Sequence, residues 1–279
     1  MLSNDIIYKR VLFFLYNQKM WGSNMLLNAL NIIENNEVIS LVGAGGKTSF
    51  MYALARELSS LQRRVLITTT THLKKPTGKA YELMILENCP KRAANKINQI
   101  FDASNVAFWA DNEVSDGKIR GLSMESIDII ADMGIADNIL IEADGSKGLP
   151  IKAPAYNEPV IPKKTTILIG VIGIDALGRT IDDKTVHRPE FLSMISGKPL
   201  GGIIDEAVIQ NLIFSPYGLF KGATEQMKKV VVINKVDNNQ ILDLAIKLAE
   251  SIKNVSNIEI FRILLTSFNC ETSRIKVIL

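Results

Sequence analysis

One stretch fixes more about this chain than any other: Val38-Ile39-Ser40-Leu41-Val42-Gly43-Ala44-Gly45-Gly46-Lys47-Thr48-Ser49. An apolar run enters a glycine-rich turn. The turn ends in Lys-Thr-Ser, and Phe50, Met51, Leu54, Ala55 and Leu58 follow at the spacing of one helix face. Strand, glycine turn, Lys-Thr and helix, in that order, build a phosphate-binding loop. Glycine lets the backbone curl so that several N–H groups point at one anion, and the new helix adds its positive end. Lys47 then brings a full charge to the outer phosphates. The Thr48 hydroxyl suits magnesium, which takes oxygen donors and keeps several waters. The expected nucleotide contacts here are Gly43, Ala44, Gly45, Gly46, Lys47, Thr48 and Ser49.

In the full spacing, Gly-x-x-x-x-Gly-Lys-Ser/Thr, the first glycine falls at position 41, which is leucine in this chain. The loop resembles the variant loops of the ATPase and GTPase class that includes nickel and signal-recognition chaperones. Those often carry an extra lysine early in the loop, where this chain has Val42.

A second apolar run, Asn138-Ile139-Leu140-Ile141, ends in Glu142-Ala143-Asp144-Gly145. Two positions apart on a strand, Glu142 and Asp144 share a face. That is where a phosphate-loop fold presents the acid that holds magnesium, directly or through water. The metal set is therefore Thr48 with Glu142 or Asp144, and the remaining carboxylate orients an attacking water. The candidates for activating that water are Glu142, Asp144 and His72, in that order. His72 follows Thr68, Thr69, Thr70 and Thr71 at the end of an expected strand, where hydroxyls meet ligands in open α/β sheets. His187 and Arg188, just before Pro189, are placed to reach a phosphate from the side. Residues 149–162 carry Pro150, Pro154, Pro159 and Pro162 with Lys152 and Glu158 between them. Such a stretch is no regular helix, and a long loop after an acid site is a candidate lid or switch.

The third signal is Asn234-Lys235-Val236-Asp237 after an apolar strand. An ionised carboxylate offers two acceptors and matches the two adjacent donors of guanine. Against adenine it would meet an unpaired lone pair. Asp237 thus reads the base, Lys235 lays its stem along the ring, and Asn234 braces the loop. Thr266-Ser267 resembles the small-residue loop that closes over guanine in GTPases. The ligand is GTP or ATP with Mg²⁺, and guanine is favoured.

The rest of the pattern gives the fold. Helices are expected at 25–33, from 50, at 123–134, from an opening at Val186–Glu190 with Pro189 in the first turn, at 203–214 and at 240–252. Strands are expected at 37–42, 64–69, 81–86, 166–173, 229–233 and 258–265. Asp116-Gly117 predicts a hairpin between 106–110 and 118–122. Together these imply an α/β protein: a three-layer P-loop NTPase-like fold with a mainly parallel sheet. A length of 279 residues with 47% hydrophobic content is ample for a core. The chain divides into an extension at 1–24, given no role, and a single nucleotide-binding domain at 25–279. The extension reads as an amphipathic packing helix or as sequence upstream of a start at Met20 or Met25, and it has no signal-peptide cleavage site. A net charge of +3 argues against nucleic acid as a partner. No apolar run is long enough to span a membrane. Cys89 and Cys270 lack metal-knuckle spacing and read as reduced thiols of a cytoplasmic protein.

As a set, in this order, several segments resemble the YqeC family. They are Gly43-Ala44-Gly45-Gly46-Lys47-Thr48, the threonine run at 68–71, Glu142-Ala143-Asp144-Gly145-Ser146-Lys147-Gly148 with Leu149-Pro150-Ile151-Lys152-Ala153-Pro154, Val171-Ile172-Gly173-Ile174-Asp175-Ala176-Leu177-Gly178, Val186-His187-Arg188-Pro189-Glu190 and Asn234-Lys235-Val236-Asp237. The resemblance spans roughly residues 25–270. It implies an accessory protein of selenium-dependent molybdenum hydroxylases that binds a nucleoside triphosphate and has the hydroxylase or its cofactor as partner. Two other functions fit the residues: a small-molecule kinase or phosphoryl transferase, and a non-hydrolysing scaffold that binds nucleotide or cofactor.

Overall fold

The computed structural model describes residues 25–32, 36–75, 83–114, 117–255, 259–268 and 274–278. Its elements begin with α1 (Met25–Leu30), β1 (Glu37–Gly43), α2 (Lys47–Ser60), β2 (Val65–Thr69), β3 (Leu73–Lys74), β4 (Met84–Leu86) and α3 (Pro90–Phe101). Then come β5 (Val106–Ala110), β6 (Asn112–Val114), β7 (Lys118–Arg120), α4 (Met124–Asp132), β8 (Asn138–Glu142), β9 (Ile151–Lys152) and β10 (Ile167–Gly173). The remainder is β11 (Val186–His187), α5 (Pro189–Ser196), α6 (Glu206–Phe214), β12 (Lys228–Asn234), α7 (Asn239–Lys253), β13 (Arg262–Ser267) and β14 (Arg274–Val277).

The central strands are apolar at nearly every position, and with a side-chain period of two that means burial on both faces. Val38 and Val42 of β1, Ile139 and Ile141 of β8, Leu168 and Ile172 of β10, and Val231 and Ile233 of β12 enter one core cluster. Their alternates Ile39, Leu41, Leu140, Ile169, Val171, Val230 and Val232 enter the other. Leu26 and Leu30 of α1 and Phe50, Met51, Leu54 and Leu58 of α2 cover the second face. The first face is covered by α3, α4, α6 and α7 through Ile97, Ile127, Ile130, Val208, Leu212, Leu248 and Ile252. Each such side chain contributes at most about 1.5–3 kcal/mol by leaving water. Ser40 is the polar exception in β1, and its buried hydroxyl pairs with that of Thr165 at 2.8 Å.

The result is three layers around a nine-stranded sheet of order β14-β13-β12-β10-β1-β8-β2-β5-β4. Every pairing is parallel except β13 with β14. From β1 the chain builds one side of the sheet, then returns to lay β10 along the other edge of β1. Ligands of open α/β sheets bind at such a reversal, beyond the carboxyl ends of the strands. Glycines close both strands there, Gly43 on β1 and Gly173 on β10.

Several expectations are corrected. Val106–Ala110 lies in the main sheet between β2 and β4, and β7 pairs instead with β6 and β3 in a separate three-stranded sheet. Residues 186–187 form β11, parallel to β9, and the helix starts only at Pro189. Thr266 and Ser267 end strand β13 instead of forming a loop. The helix α3 and the antiparallel strand β14 were not expected. Residues 1–24, Tyr81, Asp116, Ile258 and Cys270 lie outside the described residues. Among the described residues no helix is long and apolar enough to cross a membrane.

Candidate functional site

Gly43 opens the turn at φ +90, followed by Gly45 at +75 and Gly46 at +119, all in the region that side chains resist. The turn delivers the chain to α2 with no side-chain cap at Gly46. In contrast α4, α6 and α7 are capped by Ser123, Asp205 and Asn238. The first N–H groups of α2, at Lys47, Thr48 and Ser49, have no partner within the helix. They point out of its positive end beside the β1–β10 crevice.

The carboxylates of β8 come to this point. The Thr48 hydroxyl donates to Glu142 Oε2 at 2.9 Å. Lys47 Nζ stands 3.1 Å from Asp144 Oδ1 and 3.9 Å from Glu142 Oε1, and donates to the Gly43 carbonyl at 2.6 Å. Lys47, Glu142 and Asp144 are all buried. Burial pushes the Glu142 carboxyl above the usual range, against the pull of the Lys47 charge and the Thr48 hydrogen bond. Tyr52, on the next turn of α2, is raised by burial and by the Glu142 charge.

The carboxylates divide the work. Glu142 faces Thr48, while Asp144 is enclosed by donors: the Gly43 N–H at 3.0 Å, Lys47, and Lys152 Nζ at 3.2 Å. Thr48 and Glu142 are hard oxygen donors on one side of the turn, which fits magnesium completed by phosphate oxygens and water. Among the described residues no group of three or more His, Cys, Asp or Glu is arranged to hold a metal.

Several of the expected contact groups have partners within the protein. In this structure three loop amides serve the protein: Gly43 N–H bonds Asp144, Ala44 N–H the Val171 carbonyl, and Gly45 N–H the Leu149 carbonyl. The amides at the head of α2 are the ones with no partner within the helix. The threonine hydroxyls close the local backbone. Thr68 donates to Trp109 O, Thr69 to Glu142 O and Thr70 to Val160 O. His72 is exposed between β2 and β3 and shares none of the bonds of the Lys47–Glu142–Asp144 cluster. Arg188, at a left-handed φ of 69, turns its guanidinium onto Glu158 instead of toward a phosphate.

Asn234 links the end of β12 to the glycine turn. Its amide donates to Gly45 O at 2.8 Å and accepts from the Thr266 hydroxyl at 2.9 Å. Lys235 pairs with Asp175 at 2.8 Å, a partner the sequence did not suggest. Asp237 accepts from the Ser267 hydroxyl. Strand ends β1, β12 and β13 are thereby tied into one surface.

The sequence also gave no pairing for Lys152. Its side chain is fully buried, and its ammonium meets Gly145 O at 2.6 Å, Asp144 Oδ2 at 3.2 Å and Glu158 Oε2 at 2.6 Å. Arg188 grips both oxygens of Glu158. Burial raises Glu158, but the hydrogen bonds and charges of Arg188 and Lys152 outweigh it and hold the carboxyl at about 2. His187 is held at about 4 by burial and by Arg188, Lys152 and Lys147, opposed by Glu158.

Because His187 sits below its ordinary 6.5, the unfolded chain takes up that proton first. Its contribution to stability therefore declines as pH falls from 6.5 to about 4 and is flat below. Glu142, displaced upward, works in the opposite direction. Urea midpoints measured between pH 7 and pH 4 are expected to fall less in His187→Gln than in the wild type. Parallel curves would remove His187 from the acid response.

A family model described as YqeC protein matches residues 39–190, a span that holds the turn, both β8 carboxylates, Lys152, Glu158 and Arg188. A protein of Escherichia coli (strain K12) named "Uncharacterized protein YqeC" is 37% identical over 198 residues, covering 71% of this chain and 75% of that protein.

Proposed function

The chain belongs to the YqeC family, and from that premise we propose that it binds a magnesium nucleoside triphosphate at residues 43–49, hydrolyses it, and uses the cycle to mature a selenium-dependent molybdenum hydroxylase. The observation that carries the nucleotide reading is the 2.9 Å bond from the Thr48 hydroxyl to Glu142, beside Lys47 and an uncapped helix start. Two oxygen ligands from different elements converge where the helix end favours phosphate. The hydroxylase as client rests on the family resemblance alone.

Lys47 and the first amides of α2 bind the outer phosphates, and Thr48 and Glu142 would hold magnesium. When bound, the metal neutralises charge developing on the phosphate oxygens. Asp144 holds Lys47 through the 3.1 Å pair until a phosphate takes its place. Thr48 and Glu142 being given to the metal, Asp144 is the remaining carboxylate that orients an attacking water. Asp237, oriented by Ser267, reads the base, and its paired acceptors favour guanine over adenine.

A thermal-shift panel of ATP, GTP, CTP and GDP, each with and without Mg²⁺, tests this. GTP with Mg²⁺ is expected to shift the midpoint most. At one hundred times the dissociation constant the gain is about 2.7 kcal/mol, a shift of several degrees for a chain of this size. Phosphate release then follows. Phosphate appearing on an acceptor molecule would make the protein a transferase, and tight binding without turnover would make it a scaffold. No shift with any triphosphate would overturn the nucleotide reading.

A further inference from the structure

Five charged side chains form an unbroken chain from the phosphate turn to the proline-bearing segment: Lys47, Asp144, Lys152, Glu158 and Arg188. Signs alternate along it, and each interior member has a partner on either side. Lys152 is the middle link and the most enclosed, at 1% exposure. It is positioned by the two-residue parallel pairing of β9 with β11, which sets Lys152 beside His187. The same segment touches the turn directly, because Leu149 O accepts the Gly45 N–H and Pro150 O accepts the Gly173 N–H. At the far end, Val160 N–H is bonded to Ala143 O, and Tyr156 packs edge-on against Phe191 of α5 at 5.2 Å.

We propose that Lys152 is a positioning residue whose ammonium, shared between Asp144 and Glu158, carries the state of the phosphate turn to residues 153–162. The proposal rests on the nucleotide reading above. Lys47 is folded back on Gly43 O and Asp144 in this structure. To bind phosphate, its ammonium leaves Asp144. A buried carboxylate deprived of one cation draws on the other, so Lys152 moves its weight from Glu158 to Asp144. Glu158 then keeps only Arg188, which is partly exposed, and the hold on 153–162 weakens. Hydrolysis and phosphate release return Lys47 to Asp144 and Lys152 to Glu158. Coupling of this kind is reciprocal: if nucleotide weakens the Lys152–Glu158 link, removing the link tightens nucleotide binding.

The test uses the full chain with Mg²⁺ and β,γ-imido GTP. Hydrogen exchange is read over 153–162, and affinity is read with a fluorescent GTP analogue. Lys152→Met would leave Asp144 and Glu158 buried without it and fails the need for a folded protein, so Glu158→Gln is the variant. Its side chain keeps its shape and a bond to Arg188. In the wild type the ligand is expected to speed exchange at Val160 at least about threefold. In Glu158→Gln exchange is fast without ligand and unresponsive to it, and the ligand binds about fivefold tighter. A merely structural Glu158 predicts weaker or unchanged binding, and either result overturns the proposal. Binding to the wild type with no change at 153–162 overturns it too, while leaving the nucleotide reading intact. Failure of any nucleotide to bind removes both.

Discussion

Glu142→Gln is expected to lower magnesium-dependent phosphate release by about 10²–10³, while nucleotide binding without Mg²⁺ stays near that of the wild type. The substitution keeps the shape and an acceptor for Thr48 but removes the charge that faces the metal position. Lys47 loses only its longer contact, 3.9 Å, and keeps Asp144 at 3.1 Å. The free protein should not suffer. Burial already raises the Glu142 carboxyl, so its ionised form is disfavoured there and a neutral amide is at least as stable. Lost turnover with an unchanged or raised melting temperature therefore marks a residue kept for chemistry. Turnover within about tenfold of wild type would take Glu142 out of the reaction and leave Asp144 as the candidate. A lower melting temperature would make the Thr48–Glu142 bond a fold contact instead.

The parts of this site that the sequence displayed are those made by neighbours in the chain. The turn and its lysine, the acids that end β8, and Asn234 all sit at the ends of continuous apolar runs, where the strand and its exit can be read together. Lys152, Glu158 and Arg188 could be seen but not paired. Their meeting depends on β9 and β11, two residues each, too short to show a period. The same limit explains the misplaced hairpin. Val106–Ala110 is buried along nearly its whole length, as a strand inside a parallel sheet is, whereas the true hairpin partner of β7 is the polar Asn112-Glu113-Val114, with β3 on its other edge. Helix α3 was legible and was missed: Pro90 at its first position and Ala93, Ala94, Ile97, Ile100 and Phe101 at helical spacing mark its start and its core face. The threonine run has a role that the sequence did not display. Residue type and place suggest ligand contact, and the hydroxyls of Thr68, Thr69 and Thr70 also donate to carbonyls of β5, β8 and the proline-bearing segment.

Gly45→Ala is expected to destabilise the protein by about 2–5 kcal/mol, and Gly148→Ala by only about 1–2 kcal/mol, in urea unfolding without nucleotide. Both glycines have φ of +75, so the backbone penalty for a side chain is shared. They differ in what a Cβ would meet. At Gly148 nothing lies within 4 Å. At Gly45 it would stand 2.1 Å from Gly173 N, 2.6 Å from Gly173 Cα and 2.8 Å from Pro150 O. These are backbone atoms, and Gly173 N–H and Pro150 O are bonded to each other, so no side chain can rotate away. The alanine has room only if the turn, the end of β10 and the proline-bearing segment separate. That separation would also pull Gly45 O from Asn234, loosening the tie to the end of β12. Equal losses at the two positions would mean that the turn is held by its own conformation. Unequal losses mean that three segments fix its shape before any phosphate arrives, and a preformed turn is what allows Lys47 to be the part that moves.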